Sequence, residues 1–149
     1  MIWVGVDPGR SGAMVFVPDL STPWQVRLNE SAQDISGALA DAMTVGPCYA
    51  VLESVHSTPQ MGVKSAFSFG QAYGQVEALL IAHKCPYEKV SPQRWQKDLG
   101  CMTRGDKNVT KAAAASLFPN MRIIHANADA FLLAAWGKKY SRVSRKGYC

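Results

Sequence analysis

Two short apolar runs, each followed by an acidic residue, constrain the fold of this chain more than any other feature. Ile2–Val6 leads into Asp7, and residues 49–52 lead into Glu53. Runs of this length and composition predict buried strands. If the two strands lie parallel and adjacent in one sheet, both carboxylates emerge side by side at the same edge. They would then sit on rigid backbone, partly shielded from water, where a metal ion or a phosphate can approach.

The rest of the pattern predicts an α/β domain with a mixed five-stranded sheet flanked by helices. Pro8, Gly9 and Gly12 indicate a tight turn, so that the first two strands form a hairpin and the third extends a meander. The predicted strands cover residues 2–6, 13–17, 24–28, 49–53 and 87–90. Helices are predicted over 32–43 with Ser31 as its cap, 65–84, 92–99 with Ser91 as its cap, 107–118 with Asp106 as its cap, and 127–136.

Charge is distributed unevenly along the 149 residues, which carry a net charge of +5. Residues 1–93 hold five basic and eight acidic side chains, whereas 94–149 hold eleven basic and three acidic ones. An acidic part joined to a strongly basic part favours a polyanionic ligand, and nucleic acid in particular, although solvated surface charge is the simpler alternative. The division predicts one domain over 1–137 and a mobile basic C-terminal tail over 138–149.

The expected cellular compartment and the state of the cysteines follow from motifs that the sequence lacks. It contains no apolar run of 18 residues and no secretory signal, so we expect a cytoplasmic protein with no membrane segment. Cys48, Cys85, Cys101 and Cys149 are too far apart to match a zinc site or a redox pair, so we expect free thiols.

A third acid, Asp129, lies early in an otherwise apolar predicted helix, four residues after His125. A charge in that setting is costly unless it is paired or bound to a metal, and a helix packed over the sheet edge would bring it to Asp7 and Glu53. Clustered carboxylates favour Mg²⁺ or Mn²⁺, and two such ions would clamp the attacking and leaving oxygens of a phosphodiester. Each acid also has an ordinary alternative as a turn, ion-pair or helix-dipole residue.

Several short segments are similar, in order, to the motifs of one known family. They are Val4-Gly5-Val6-Asp7-Pro8-Gly9, Val51-Leu52-Glu53-Ser54, residues 65–74 with their Gly-Gln-Ala-x-Gly pattern, Gly105-Asp106-Lys107 and Asn127-Ala128-Asp129-Ala130. Together they resemble the RuvC-type Holliday junction resolvases, particularly the bacteriophage and small bacterial relatives, and they span most of residues 2–137.

That resemblance implies a ribonuclease H-like fold and a homodimer that nicks two opposed strands of a four-way DNA junction with Mg²⁺. It implies that Asp7, Glu53 and Asp129 bind the metal ions, of which there would be two in each active site. His125 would bind metal or handle a proton. Lys107 would lie near the scissile phosphate.

The chain departs from the family in the loop after Glu53, where the family places an aromatic residue that stacks on a base. His56 or Met61 would have to take that role here. Phosphate contacts are expected from the basic side chains of both halves. These are Lys64, Arg94, Lys97, Lys107, Lys111, Lys138, Lys139, Arg142, Arg145 and Lys146.

Three classes of function remain open at this point. The first is a nuclease that resolves Holliday junctions and possibly forks. The second is a non-catalytic junction-binding protein on the same fold, which would gain nothing from clustered acids beside phosphates. The third is an ATPase of the actin and sugar-kinase type, for which 149 residues leave no room for a second domain. The predicted helix over 65–84 is the candidate dimer contact, unless its small residues only cover its own sheet.

Overall fold

The computed structural model describes residues 1–147, which form five strands and six helices. The strands are β1 Ile2–Val6, β2 Ala13–Pro18, β3 Trp24–Arg27, β4 Cys48–Glu53 and β5 Tyr87–Val90. The helices are α1 Ala32–Val45, α2 Val63–Ala82, α3 Pro92–Asp98, α4 Asn108–Leu117, α5 His125–Tyr140 and α6 Arg142–Arg145.

The strands form one mixed sheet in the order β3-β2-β1-β4-β5. β1 pairs antiparallel with β2 and parallel with β4, with Val6 opposite Leu52. The predicted meander and the predicted parallel pair are therefore confirmed. Because Asp7 follows Val6 and Glu53 follows Leu52, both acids come out of the sheet at the same edge.

Two apolar cores lie on the two faces of the sheet. One face packs against α5, α4 and α3, and the other packs against α1 and α2. β1 and β4 are buried along their whole length, as strands covered on both faces must be. α5 is the central helix, since most of its residues from Asn127 to Gly137 are buried.

α5 lies directly on β1 because glycine occupies the point of contact. A Cβ atom at Gly5 would stand 1.8 Å from the Ala130 carbonyl oxygen and 2.6 Å from the Ala134 nitrogen. At the other end of the crossing, a Cβ atom at Gly137 would stand 2.7 Å from Val51 Cγ2. This close approach fixes the height of α5 above the sheet and therefore the position of Asp129.

Helix ends agree with the sequence at some points and differ at others. Ser31 and Ser91 cap α1 and α3, since their hydroxyls accept the Asp34 and Arg94 backbone N–H groups. The prediction that Asp106 caps α4 is wrong by one residue: Lys107 holds the N-cap position, and the Asp106 carboxylate accepts the Asn108 N–H at 2.9 Å. α2 begins two residues earlier than predicted, at Val63.

The last long helix extends beyond its predicted end at residue 136 and crosses the predicted domain boundary at residue 137. Lys138 binds Asp19 at 2.9 Å, and Arg142 contacts Glu88 through its backbone N–H at 3.0 Å and its guanidinium at 3.6 Å. Up to residue 147, the segment predicted as a tail is therefore attached to the domain.

Cys48, Cys85 and Cys101 are buried free thiols, as predicted, and Cys149 lies outside the described residues. Burial raises the pKa of the Cys48 thiol to about 11 and that of Cys85 to about 12. Among residues 1–147, no helix combines the length and the apolar character that a membrane crossing requires.

Candidate active site

Asp7 is held by the turn that joins β1 to β2. Its backbone N–H donates to the Ala13 carbonyl at 3.1 Å, and the Gly12 N–H donates to the Gly9 carbonyl at 3.0 Å. A Cβ atom at Gly12 would stand only 2.1 Å from the Asp7 carbonyl oxygen, so the turn needs glycine there. The backbone hydrogen bonds of this turn hold Asp7 at the edge of the sheet.

Glu53 is held by a tryptophan that sequence reasoning missed. Trp95 in α3 is fully buried, and its indole N–H donates to Glu53 Oε1 at 2.8 Å. Glu53 itself is only 7% exposed. The one signal available in the sequence was general: a buried tryptophan usually finds an acceptor for its N–H, but the sequence does not indicate which one.

Asp129 faces the same edge from the second turn of α5. Its Oδ1 atom is buried and has no hydrogen-bond partner within residues 1–147.

Asn127 fixes the start of α5, a structural role that the sequence pattern did not predict. Its amide accepts the Ile124 N–H at 2.8 Å and donates to Gln25 Oε1 at 3.1 Å, which ties α5 to β3.

The three acids are close enough to perturb one another. Burial raises the pKa of Asp7 to about 6, with a further increase from Asp129 and a decrease from Lys107. Burial and the nearby Asp7 raise the pKa of Glu53 to about 7. The hydrogen bond from Trp95 and the charge of Lys107 lower this pKa, but by less. Burial likewise raises the pKa of Asp129, while the Thr110 hydroxyl, Lys107 and His125 act in the opposite direction.

This donor set fits a hard divalent cation. Across residues 1–147, no three acidic, histidine or cysteine side chains stand ready around a common point. The chemistry nevertheless favours an ion, because three carboxylates that repel one another and one buried oxygen without a donor are all stabilised by a nearby positive charge. Oxygen ligands of this kind suit Mg²⁺ or Mn²⁺.

The acids open onto a groove of about 600 Å³. Lys107, at the start of α4, lines it together with Asp7, Glu53 and Asp129. The remaining wall comes from residues that were not predicted as site residues. These are the turn from Pro8 to Gly12, and Ser65, Ser68 and Phe69 of α2. The groove is therefore lined by three acids together with Lys107 and Arg10, a mixture of charges that suits cations and the phosphate that they bind.

The other predicted residues are divided between the two ends of the sheet. His125 begins α5, is exposed, and acts electrostatically on Asp129. His56, Met61 and Lys64 follow Glu53 in the loop and the first turn of α2, with His56 and Lys64 exposed.

Lys138 and Lys139 lie at the opposite end of the sheet from the acids. Lys138 binds Asp19, which also binds the amino terminus at 3.2 Å, and β1 separates this cluster from Asp7. Arg94 pairs with Asp98 at 3.6 Å, and Arg142 pairs with Glu88. Lys97, Lys111, Arg145 and Lys146 do not line the groove either. The structure thus brings Lys107 to the acids but not the C-terminal basic residues.

The raised pKa values of the three acids predict a pH-dependent stability, and substitution of Glu53 alone should reduce that dependence. In metal-free buffer the unfolded Glu53 ionises above about pH 4, whereas the folded side chain keeps its proton until about pH 7. Stability should therefore fall through this interval, and the full cost of about 3 kcal/mol applies above it. Glu53→Gln keeps an acceptor for Trp95, so it should be more stable than the unmodified protein at pH 8 and equal to it at pH 4.

Urea unfolding at both pH values, with EDTA present, measures this effect. Glu30→Gln changes an exposed acid and should leave both curves unchanged. Equal destabilisation by Glu53→Gln at pH 4 and pH 8 would contradict a raised pKa of Glu53 in the folded protein.

Comparison with known proteins establishes the fold. No protein-family model and no curated relative matches the sequence. A structure of Thermus thermophilus RuvC matches with a TM-score of 0.60 and 16% identity over 96% of each chain. A second structure, T. thermophilus RuvC in complex with a Holliday junction substrate, matches with a TM-score of 0.60 and 19% identity over 99% of this chain and 96% of that chain. The predicted ribonuclease H-like architecture is confirmed, and this chain has the fold of RuvC.

Proposed function

We propose that the chain is a RuvC-type resolvase, a metal-dependent endonuclease that nicks opposed strands of four-way DNA junctions. One observation carries the proposal: Asp7, Glu53, Asp129 and Lys107, which come from four different elements or turns, line a single groove. A purely structural role does not explain three mutually repelling acids at one sheet edge. The junction-bound RuvC structure with the same fold supports DNA as the substrate.

Asp7, Glu53 and Asp129 would hold two Mg²⁺ ions, or Mn²⁺ in their place, with Asp7 shared between them. When bound, such ions stabilise the charge that develops on a phosphate during hydrolysis. His125, at the start of the helix that carries Asp129, would bind metal or handle a proton. Hydrolysis would leave a 5′-phosphate and a 3′-hydroxyl, which a ligase can seal.

Neighbouring residues prepare the site before the substrate arrives. The Trp95 indole N–H holds one carboxylate oxygen of Glu53, and the turn at Gly12 holds the backbone of Asp7. Lys107, which lines the groove, would offer a positive charge to the scissile phosphate. Lys64, His56 and Met61 are the predicted DNA contacts nearest to Glu53 along the chain.

A panel of labelled DNAs tests the substrate assignment. A four-way junction, a fork, a flap and a linear duplex of equal arm length are incubated with the protein and Mg²⁺. We expect nicks at symmetric positions in the junction, weaker cutting of the fork, and none in the linear duplex. Equal cutting of all four DNAs would contradict structure-selective activity.

We also propose a homodimer that forms through the outer face of α2. Val63, Phe67 and Ile81 are 88%, 68% and 60% exposed, and they lie opposite the buried Val76. Gly70 and Gly74 share this outer face, where nothing lies within 4 Å of an added Cβ atom. An apolar stripe with small residues at its centre suits close helix packing against a second copy, and paired nicks need two active sites.

Ile81→Glu should convert the dimer to a monomer, because it places a charge at the end of this stripe. Sedimentation velocity at micromolar concentration measures the change. Leu20→Glu alters a residue that is 99% exposed in the β2–β3 turn and should remain dimeric. A wild-type chain that sediments as a monomer under these conditions would contradict the proposed dimer.

The bacterial cytoplasm, or that of a phage-infected host, is the proposed location, because recombining and replicating DNA produces branched substrates there.

A further inference from the structure

Arg10 is a cation that the catalytic proposal does not use. It lies at the tip of the β1–β2 turn, is exposed, and its side chain forms no hydrogen bond or ion pair with any of residues 1–147. The backbone of this turn is held in place by β3, because the Arg27 guanidinium donates to the carbonyls of Ser11 at 3.0 Å and Gly12 at 3.3 Å. Arg10 is thus a free cation on firmly held backbone.

Two grooves meet at Arg10. One is the groove of the three acids, and the other is a groove of about 370 Å³ between the β3–α1 turn and α2. Arg10 and Ser68 line both, so the two form one continuous path across the surface. A strand whose phosphate lies over the acids would therefore continue past Arg10 into the second groove.

The second groove has the chemistry of a nucleotide site. Gln71 and Gln75 follow Ser68 at three- and seven-residue spacing, so all three lie on one side of α2. Asn29 adds a third amide from the opposite wall, and the buried side chains of Leu28 and Val76 lie beneath the groove. Amide side chains pair with base edges, and a guanidinium binds phosphate. Glu30 is the one acid in the lining.

We propose that this second groove is a subsite for the nucleotide next to the scissile phosphate. Arg10 positions the flanking phosphate, and Gln71 and Gln75 contact the base and so determine sequence preference at the cut. This inference rests on the proposed nuclease function, which it extends from the acids to the neighbouring nucleotide.

Binding is tested separately from cutting, in the Asp7→Asn background. The affinity for a synthetic four-way junction is measured from 50 to 300 mM salt with and without Arg10→Ala. We expect roughly tenfold weaker binding and a salt slope shallower by about 0.9, as for the loss of one phosphate contact. Arg10→Lys should restore most of the slope. Lys84→Ala removes an exposed charge from the α2–β5 turn and should change neither quantity.

Sequence preference is tested with junctions that carry a randomised crossover and are cut by the otherwise unmodified protein. Gln71→Ala and Gln75→Ala alter exposed side chains and should broaden the set of cut sites. If the unmodified protein cuts junctions but Arg10→Ala matches Lys84→Ala, the phosphate subsite is wrong. If both glutamine variants keep the original preference, the base contact is wrong. A protein that neither binds nor cuts junctions would overturn this inference together with the proposed function.

Discussion

Asp7→Asn should bind a four-way junction at least as tightly as the unmodified protein and lose on the order of a thousandfold in Mg²⁺-dependent nicking, which corresponds to about 4 kcal/mol of barrier. The Asp7 carboxylate interacts with both other acids, because it raises the pKa of Glu53 and Asp129 raises the pKa of Asp7. Asparagine occupies the same volume but carries no charge, so it weakens cation binding. Binding should survive because one negative charge is removed from the vicinity of the phosphates.

Matched measurements separate this effect from a loss of folding. Nicking rates and junction affinities are compared for Asp7→Asn, Glu53→Gln and Asp41→Asn, the last of which changes an exposed acid in α1. Asp41→Asn should behave as the unmodified protein, and Glu53→Gln should behave as Asp7→Asn. Undiminished nicking by Asp7→Asn would refute the assignment of this residue to the active site.

Gly5→Ala should destabilise the protein by about 3 kcal/mol or more, at the upper end of what overpacking costs. The added methyl group would stand 1.8 Å from a backbone oxygen of α5, and a backbone atom cannot rotate away as a side chain can. α5 must therefore move off β1. Because α5 carries Asp129, the surviving folded protein should also nick junctions more slowly.

Gly37→Ala is the control for Gly5→Ala, since nothing lies within 4 Å of an added Cβ atom in this exposed part of α1. It should stabilise the protein by about 0.5–1 kcal/mol, as alanine does in place of glycine inside a helix. Urea unfolding measures both variants. Equal stabilities for Gly5→Ala and Gly37→Ala would mean that α5 does not rest on β1 as described.

The strands and the edge where Asp7 and Glu53 emerge were predictable because they depend on local patterns. Apolar runs of five or six residues, bounded by turn residues, specify buried strands without reference to distant parts of the chain. Asp129 was predictable for a related reason: a charge inside an apolar helix requires an explanation.

Trp95, Arg10 and the true position of the basic C-terminal residues were not predictable, because they depend on contacts between distant segments. The bond from Trp95 to Glu53 spans 42 residues, and no local pattern encodes it. Arg10 resembles any turn arginine until two grooves are seen to meet beside it. The basic composition of residues 138–149 predicted that Lys138 belongs to a DNA-binding tail. In the structure Lys138 pairs with Asp19, at the opposite end of the sheet from the three acids.

The most direct test of the account is the metal dependence of junction nicking by the unmodified protein. A four-way junction labelled on all strands is incubated with Mg²⁺, with Mn²⁺, and with EDTA, and the nicked products are treated with ligase. The account predicts paired nicks with either metal, none in EDTA, and full resealing by ligase. Tight junction binding without nicking in either metal would contradict it and would indicate a non-catalytic junction-binding protein.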